Sequence, residues 1–163
     1  MRRLSFLIGV LFFLLFLTPA LLAADTPSFY YKIELESSIN PVTSGYLQRA
    51  LRRTEETNRA AGLIIRLNTP GGLMNSMEEM TTAIMRSRKP VIVWVGPTGA
   101  RAASAGVFIT YAAHVAAMAE ETRIGAAHPV SGGGEDMGED IKEKVISDAY
   151  AQLRVMARRR DRS

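Results

Sequence analysis

Gly62-Leu63-Ile64-Ile65-Arg66-Leu67-Asn68-Thr69-Pro70-Gly71-Gly72-Leu73 is the stretch that decides the fold of this chain. Its first half is a short apolar run, which suits a strand buried on both faces of a parallel sheet. Its second half is a proline–glycine turn at the strand's carboxyl end, where open α/β sheets collect their ligands. Beyond the turn, Ser76-Met77-Glu78-Glu79 has the S-x-x-E form of a capping box. The helix it opens carries Met77, Met80 and Ile84 along one face, a stripe that reads as core filling.

The same alternation extends in both directions. Upstream, Phe29 to Leu35 reads as a strand, and Asn40-Pro41 supplies a cap followed by proline at a first helical position. Leu47, Ala50, Leu51 and Thr54 continue at helical spacing. Downstream, Lys89-Pro90 ends the methionine helix, Val91 to Val95 is the next strand, and Val115 to Met118 a further one. Strand–helix–strand order of this kind predicts an α/β domain with a largely parallel sheet.

A second glycine-bearing turn follows Val95 and runs from Gly96 to Gly106, with Ser104 inside Ala103-Ser104-Ala105-Gly106. Paired glycines leave backbone N–H groups unobstructed, and such donors hold the oxyanion that develops in acyl transfer. Ser104 stands among small residues just before the apolar run Val107-Phe108-Ile109, with room for a carbonyl to approach. Taken alone, A-S-A-G would read as a helix cap in a tight packing contact; the glycine turn one strand earlier favours a nucleophile. No G-K-[ST] follows either turn, so a phosphate cradle is not expected.

Composition removes other chemistries. The chain of 163 residues has no cysteine, so thiolate metal sites, disulfides and a cysteine nucleophile are excluded. Its two histidines, His114 and His128, are too few for a self-contained metal centre, and neither metal nor cofactor is expected. The net charge of +4 comes largely from Arg2, Arg3 and the arginines near the C-terminus. No basic stripe interleaved with aromatics accompanies it, which argues against nucleic acid. Residues 1–24, two arginines before an uncharged apolar stretch, read as a signal peptide or membrane anchor, leaving 25–163 as the folded domain. Either form places that domain on the extracytoplasmic side of the cytoplasmic membrane.

Three blocks carry a resemblance: LNTPGGL from Leu67, KPVIVWVGPTGARAASAGVFI from Lys89 and MAEETRIGAAHPV from Met118. Together they resemble the NfeD-type membrane-bound serine proteases, relatives of ClpP and of signal peptide peptidase A. The resemblance implies a ClpP/crotonase-like fold and a serine–lysine dyad without metal or cofactor. It implies a stomatin-like membrane protein as substrate or partner, cleaved in an apolar segment, and leaves a homo-oligomer open. Carried over by position, Ser104 is the nucleophile, Gly71 and Gly72 supply oxyanion-hole amides, and Lys144 in Lys144-Val145-Ile146-Ser147-Asp148-Ala149 is the base. The chain departs from the family at Asn68, where aspartate is usual, and at Glu120-Glu121. It also ends early at Ser163, so the domain is expected to be C-terminally truncated.

Two other bases stay open. ClpP itself uses histidine, which makes His128 a rival. Periodicity places Lys142 near the middle of the stripe Ile141, Val145, Ala149, Leu153 and Met156, with Lys144 turned away. A helix beginning only near Lys144, after the glycines Gly132-Gly133-Gly134 and Gly138, would reconcile spacing with resemblance. Whichever lysine acts must lose its proton, and burial is what lowers a lysine from its usual 10.4 or so. A non-catalytic scaffold for a stomatin-like protein and an acyl-CoA-binding crotonase-type enzyme are the competing functions.

Overall fold

The computed structural model describes residues 28–127 and 138–162. The N-terminal apolar segment and His128 lie outside them, and no helix among the described residues is long and apolar enough to cross a membrane.

The chain runs β1 (Phe29–Leu35), α1 (Pro41–Glu56), β2 (Ala60–Leu67), α2 (Met74–Arg86), β3 (Val91–Val95), β4 (Arg101–Ala103), α3 (Ala105–Ala112), β5 (Val115–Met118), β6 (Arg123–Gly125) and α4 (Glu139–Arg159). Four strands form one sheet in the order β1-β2-β3-β5, every pair parallel. Right-handed crossovers between sequential parallel neighbours put the helices on one face. There α1 packs on α2, α2 on α3, and α3 on α4.

Asn40 starts α1 as its sequence suggests. Its side chain accepts the N–H groups of Val42 and Thr43 at 2.9 and 3.1 Å, Thr43 Oγ1 accepts the Asn40 N–H, and Pro41 takes the first helical position. Such a cap contributes about 1 kcal/mol. The S-x-x-E motif does not cap α2. That helix begins at Met74 with Leu73 as its cap residue, so Ser76 lies in the first turn and is buried. The glycine turn swings the chain into the helix three residues earlier than a Ser76 cap would.

The central strand also departs from expectation. Leu63, Ile65 and Leu67 are fully buried beneath the helices, whereas Ile64 and Arg66 on the other face are half-exposed. One sheet face is therefore the core and the other is partly open. Arg66 pairs there with Glu34 at 3.3 Å and with Glu36.

His114, just before β5, holds the start of β3. Its Nδ1 accepts the Val91 N–H at 3.1 Å, while the backbone N–H of His114 donates to Val91 O at 2.9 Å. An accepting Nδ1 requires the neutral ring. Burial first, and then the charges of Arg160, Arg159 and Arg162, hold the imidazole below its ordinary pKa. The unfolded chain takes up this proton near pH 6.5 and the folded chain only at lower pH, so stability falls as pH drops below about 6.5. The melting temperature should decline between about pH 7.5 and 5.5, and less steeply in His114→Asn, whose Oδ1 accepts without titrating. An equal decline in both proteins would exclude His114 as the cause.

Candidate active site

Thr69 organises the glycine turn. Fully buried, it continues β2 past its end: its N–H donates to Arg101 O at 2.7 Å and its carbonyl accepts from Ala103 N–H at 3.1 Å. Its Oγ1 donates to Ser37 O at 2.8 Å and accepts the Gly71 N–H at 3.1 Å. Asn68, beside it, accepts the Arg101 N–H through Oδ1 at 3.1 Å, a role an aspartate would fill equally. These bonds tie the turn after β2 to β4, which delivers the serine.

Ser104 sits where β4 becomes α3, half-buried, at φ 52° and ψ −115°. Few non-glycine residues hold a positive φ, and doing so costs on the order of 1–3 kcal/mol. The conformation persists because both sides are fixed: the Ser104 N–H donates to Gly125 O at 2.9 Å, extending the parallel β4–β6 pair, and Ser104 O accepts from Val107 N–H at 3.0 Å. A serine on a sharp strand-to-helix turn presents its Oγ outward, the logic of a nucleophile elbow.

The glycines make this approach possible. At Gly71, φ is +107°, and a methyl group there would stand 2.5 Å from Ser104 Cβ and 3.1 Å from its Oγ. At Gly72 a Cβ would overlap the Ile39 carbonyl, because Ile39 bridges the turn through bonds from Ile39 N–H to Gly71 O and from Leu73 N–H to Ile39 O. Gly71→Ala is therefore expected to cost both strain and a displaced Ser104, lowering any Ser104-dependent rate about 100-fold, as a misplacement near 1 Å does. A Gly71→Ala protein with an unchanged rate of Ser104 acylation would show that the contact does not matter.

The two glycine amides have different fates. The Gly71 N–H is held by Thr69 Oγ1, whereas the Gly72 N–H has no partner among the described residues. The Ala105 N–H, first of α3, is likewise without a partner among the described residues and carries the positive end of the helix dipole. Gly72, Ser104 and Ala105 all line one cleft of about 410 Å³. In the sequence, the one signal for Ala105 is its place directly after the serine at the mouth of a helix.

The cleft is mostly apolar, with Leu73, Met74, Met77 and Phe108 on its α2 and α3 sides. Helix α4 closes it with Ala149 and two polar residues, Asp148 and Gln152, joined by a 2.8 Å bond from Gln152 Nε2 to Asp148 Oδ2.

The structure thus brings Ser104, Gly71 and Gly72 together, and sets the candidate lysines apart. Helix α4 already starts at Glu139, not near Lys144, because Gly138 serves as its cap residue and its carbonyl accepts from Ile141 and Lys142 N–H. The late start that would reconcile spacing with resemblance is not what the chain does. Ile141, Lys142, Glu143 and Lys144 are all exposed, and neither lysine lines the cleft. Lys144 lies one turn before Asp148, and Lys142 two turns before Ala149, so they flank the cleft wall from opposite sides of the helix. Among the described residues no group of histidine and carboxylate side chains could hold a metal ion.

Comparison with known proteins agrees with this architecture. The profile of the NfeD1b N-terminal domain matches residues 29–163. The membrane-bound protease PH1510 of Pyrococcus horikoshii is 38% identical over 119 residues, which is 73% of this chain and 26% of the relative. A solved structure of the 1510-N membrane-bound stomatin-specific protease, a lysine-to-alanine variant in complex with a substrate peptide, superposes with a TM-score of 0.71 at 31% identity. It covers 82% of this chain and 61% of that one. ClpP1 of Listeria monocytogenes shares the fold, with a TM-score of 0.59 at 21% identity over 81% of this chain and 73% of that one. The chain spans about a quarter of the length of the P. horikoshii relative.

Proposed function

Because the chain belongs to the NfeD1b N-terminal-domain family, we propose that it is a serine endopeptidase working through Ser104 and Lys144. The carrying observation is the strained Ser104 between two uncommitted amides, Gly72 and Ala105, at one end of an apolar cleft. A scaffold would have no need of a serine held at positive φ beside donors that are unpaired among the described residues.

In the proposed reaction Ser104 Oγ attacks the scissile carbonyl as its proton passes to the neutral Lys144 amine. The carbonyl oxygen becomes an oxyanion facing the Gly72 and Ala105 N–H groups, where preorganised donors lower the barrier by several kcal/mol. Collapse breaks the C–N bond, and Lys144 returns the proton to the leaving amine. Water, deprotonated by the same lysine, then hydrolyses the Ser104 ester and restores both groups. No metal or cofactor enters.

Leu73, Met74, Met77 and Phe108 favour an apolar side chain beside the scissile bond. That preference, with the stomatin-specific relative, supports an apolar stretch of a stomatin-like membrane protein as the substrate. Residues 1–24 would hold or have carried the domain to the extracytoplasmic side, where such a stretch is reached. Incubating the full chain with a peptide copied from an apolar stretch of a stomatin-like protein should yield two complementary fragments by mass spectrometry. A peptide that seats in the cleft, seen by protection of Met77 and Phe108, yet stays intact would favour the scaffold instead.

A further inference from the structure

The C-terminal arginine run has no part in the site as described, yet the structure gives two of its members a specific place. Helix α4 ends in a Schellman turn: Asp161 takes φ 51°, the Asp161 N–H donates to Arg158 O at 3.4 Å, and the Arg162 N–H returns to Ala157 O at 2.8 Å. This reversal turns the following side chain back toward the body of the domain. Arg162 Nη1 then donates to Thr110 O at 3.1 Å and Tyr111 O at 2.6 Å. Arg160 Nε donates to Ala112 O at 2.9 Å, and its Nη2 to Ile84 O at 3.5 Å. Three of the four carbonyls that α3 leaves unpaired at its C-terminus are thereby satisfied. The α2 carbonyl is joined in the same clasp.

Helix α3 has eight residues, so its two ends are only about 12 Å apart. One end carries Ser104 and the Ala105 amide; the other receives both guanidiniums. The turn that supplies the guanidiniums ends helix α4, which supplies Asp148, Ala149 and Gln152 to the cleft and carries Lys144 one turn before Asp148. Its first turns, with four exposed side chains in succession from Ile141 to Lys144, have little packing of their own to fix them.

We infer that Arg160 and Arg162 are positioning residues for the hydrolytic site: they clasp the end of α4 to the ends of α2 and α3, and so set the cleft wall and Lys144 against Ser104. The inference rests on the serine-endopeptidase reading for its kinetic arm only. Neither arginine touches the reacting atoms. Their positive charge also complements the carboxyl end of the α3 dipole, but a lysine would do that too.

Geometry separates the two arginines. Arg162 uses a single nitrogen for both of its carbonyls, which a lysine ammonium can imitate. Arg160 spans carbonyls of two helices with two nitrogens, which it cannot. The test measures kcat and KM for an apolar peptide in the full chain, normalised to serine titrated with a fluorophosphonate, for Arg160→Ala, Arg160→Lys, Arg162→Ala and Arg162→Lys. Hydrogen exchange across residues 144–153 is followed in parallel.

Arg160→Ala, Arg160→Lys and Arg162→Ala should each lose about 10- to 100-fold in kcat per titrated serine and show faster exchange across that segment. Arg162→Lys should stay within a few-fold of wild type in both. Wild-type kcat and exchange in Arg160→Lys would overturn the clasp, even if that variant melts lower. If the wild type neither cleaves nor labels, the endopeptidase reading fails, and the exchange arm still decides whether the clasp holds α4.

Discussion

Ser104→Ala is expected to lower kcat on the order of 10⁴- to 10⁶-fold while leaving the fold intact. Removal of a serine nucleophile has this scale, because only the oxyanion donors and binding remain to assist. Ser104→Gly should be equally inactive but differ in stability. Glycine adopts φ 52° without penalty, so the strain of about 1–3 kcal/mol stored at this position is released, less the extra entropy glycine gives the unfolded chain. A gain of a few degrees in Tm over Ser104→Ala follows. The pair of variants thus reads out nucleophile and strain separately. An alanine variant that still cleaves at the wild-type rate would remove Ser104 from the mechanism.

Lys144→Ala is expected to have the second largest effect, about 10²- to 10⁴-fold in kcat, the contribution of a positioned general base. Lys142→Ala and His128→Ala should each remain near wild type. The dependence on pH adds a direction: a base that must be neutral gives a rate that rises with pH through its pKa. Lysine in water is almost wholly protonated at pH 7. For the proposed dyad to work, the exposed first turns of α4 would have to be covered by substrate seated in the cleft. A dead His128→Ala variant beside an active Lys144→Ala variant would replace the dyad with serine and histidine.

Much of this arrangement is legible in the residues alone, and the reason is local. Asn40-Pro41 states a helix start in its own side chains, and Val91 to Val95 can be little other than a strand. The proline–glycine turn and the small residues around Ser104 mark the candidate site because close approach of backbone to backbone needs them. The remainder depends on distant parts of the chain. Ser76 looks like a cap until the turn bridged by Ile39 starts α2 at Met74. The strands β4 and β6 have three residues each, too few to show a period, and exist because they pair with each other. Gly138 begins α4 earlier than its glycine-rich approach suggests. The difference between Gly71 and Gly72 is set by Thr69 Oγ1, which satisfies one amide and not the other. The arginine run reads as surplus charge in the sequence; the Schellman turn alone directs it onto α3.

The most direct test of Ser104 as the nucleophile is covalent. The full chain is treated with a fluorophosphonate near neutral pH, and the adduct is located by intact mass and peptide mapping. One adduct per chain is expected, on Ser104, slowed in Lys144→Ala and absent in Ser104→Ala. An unmodified chain, or an adduct on any other serine, would contradict it.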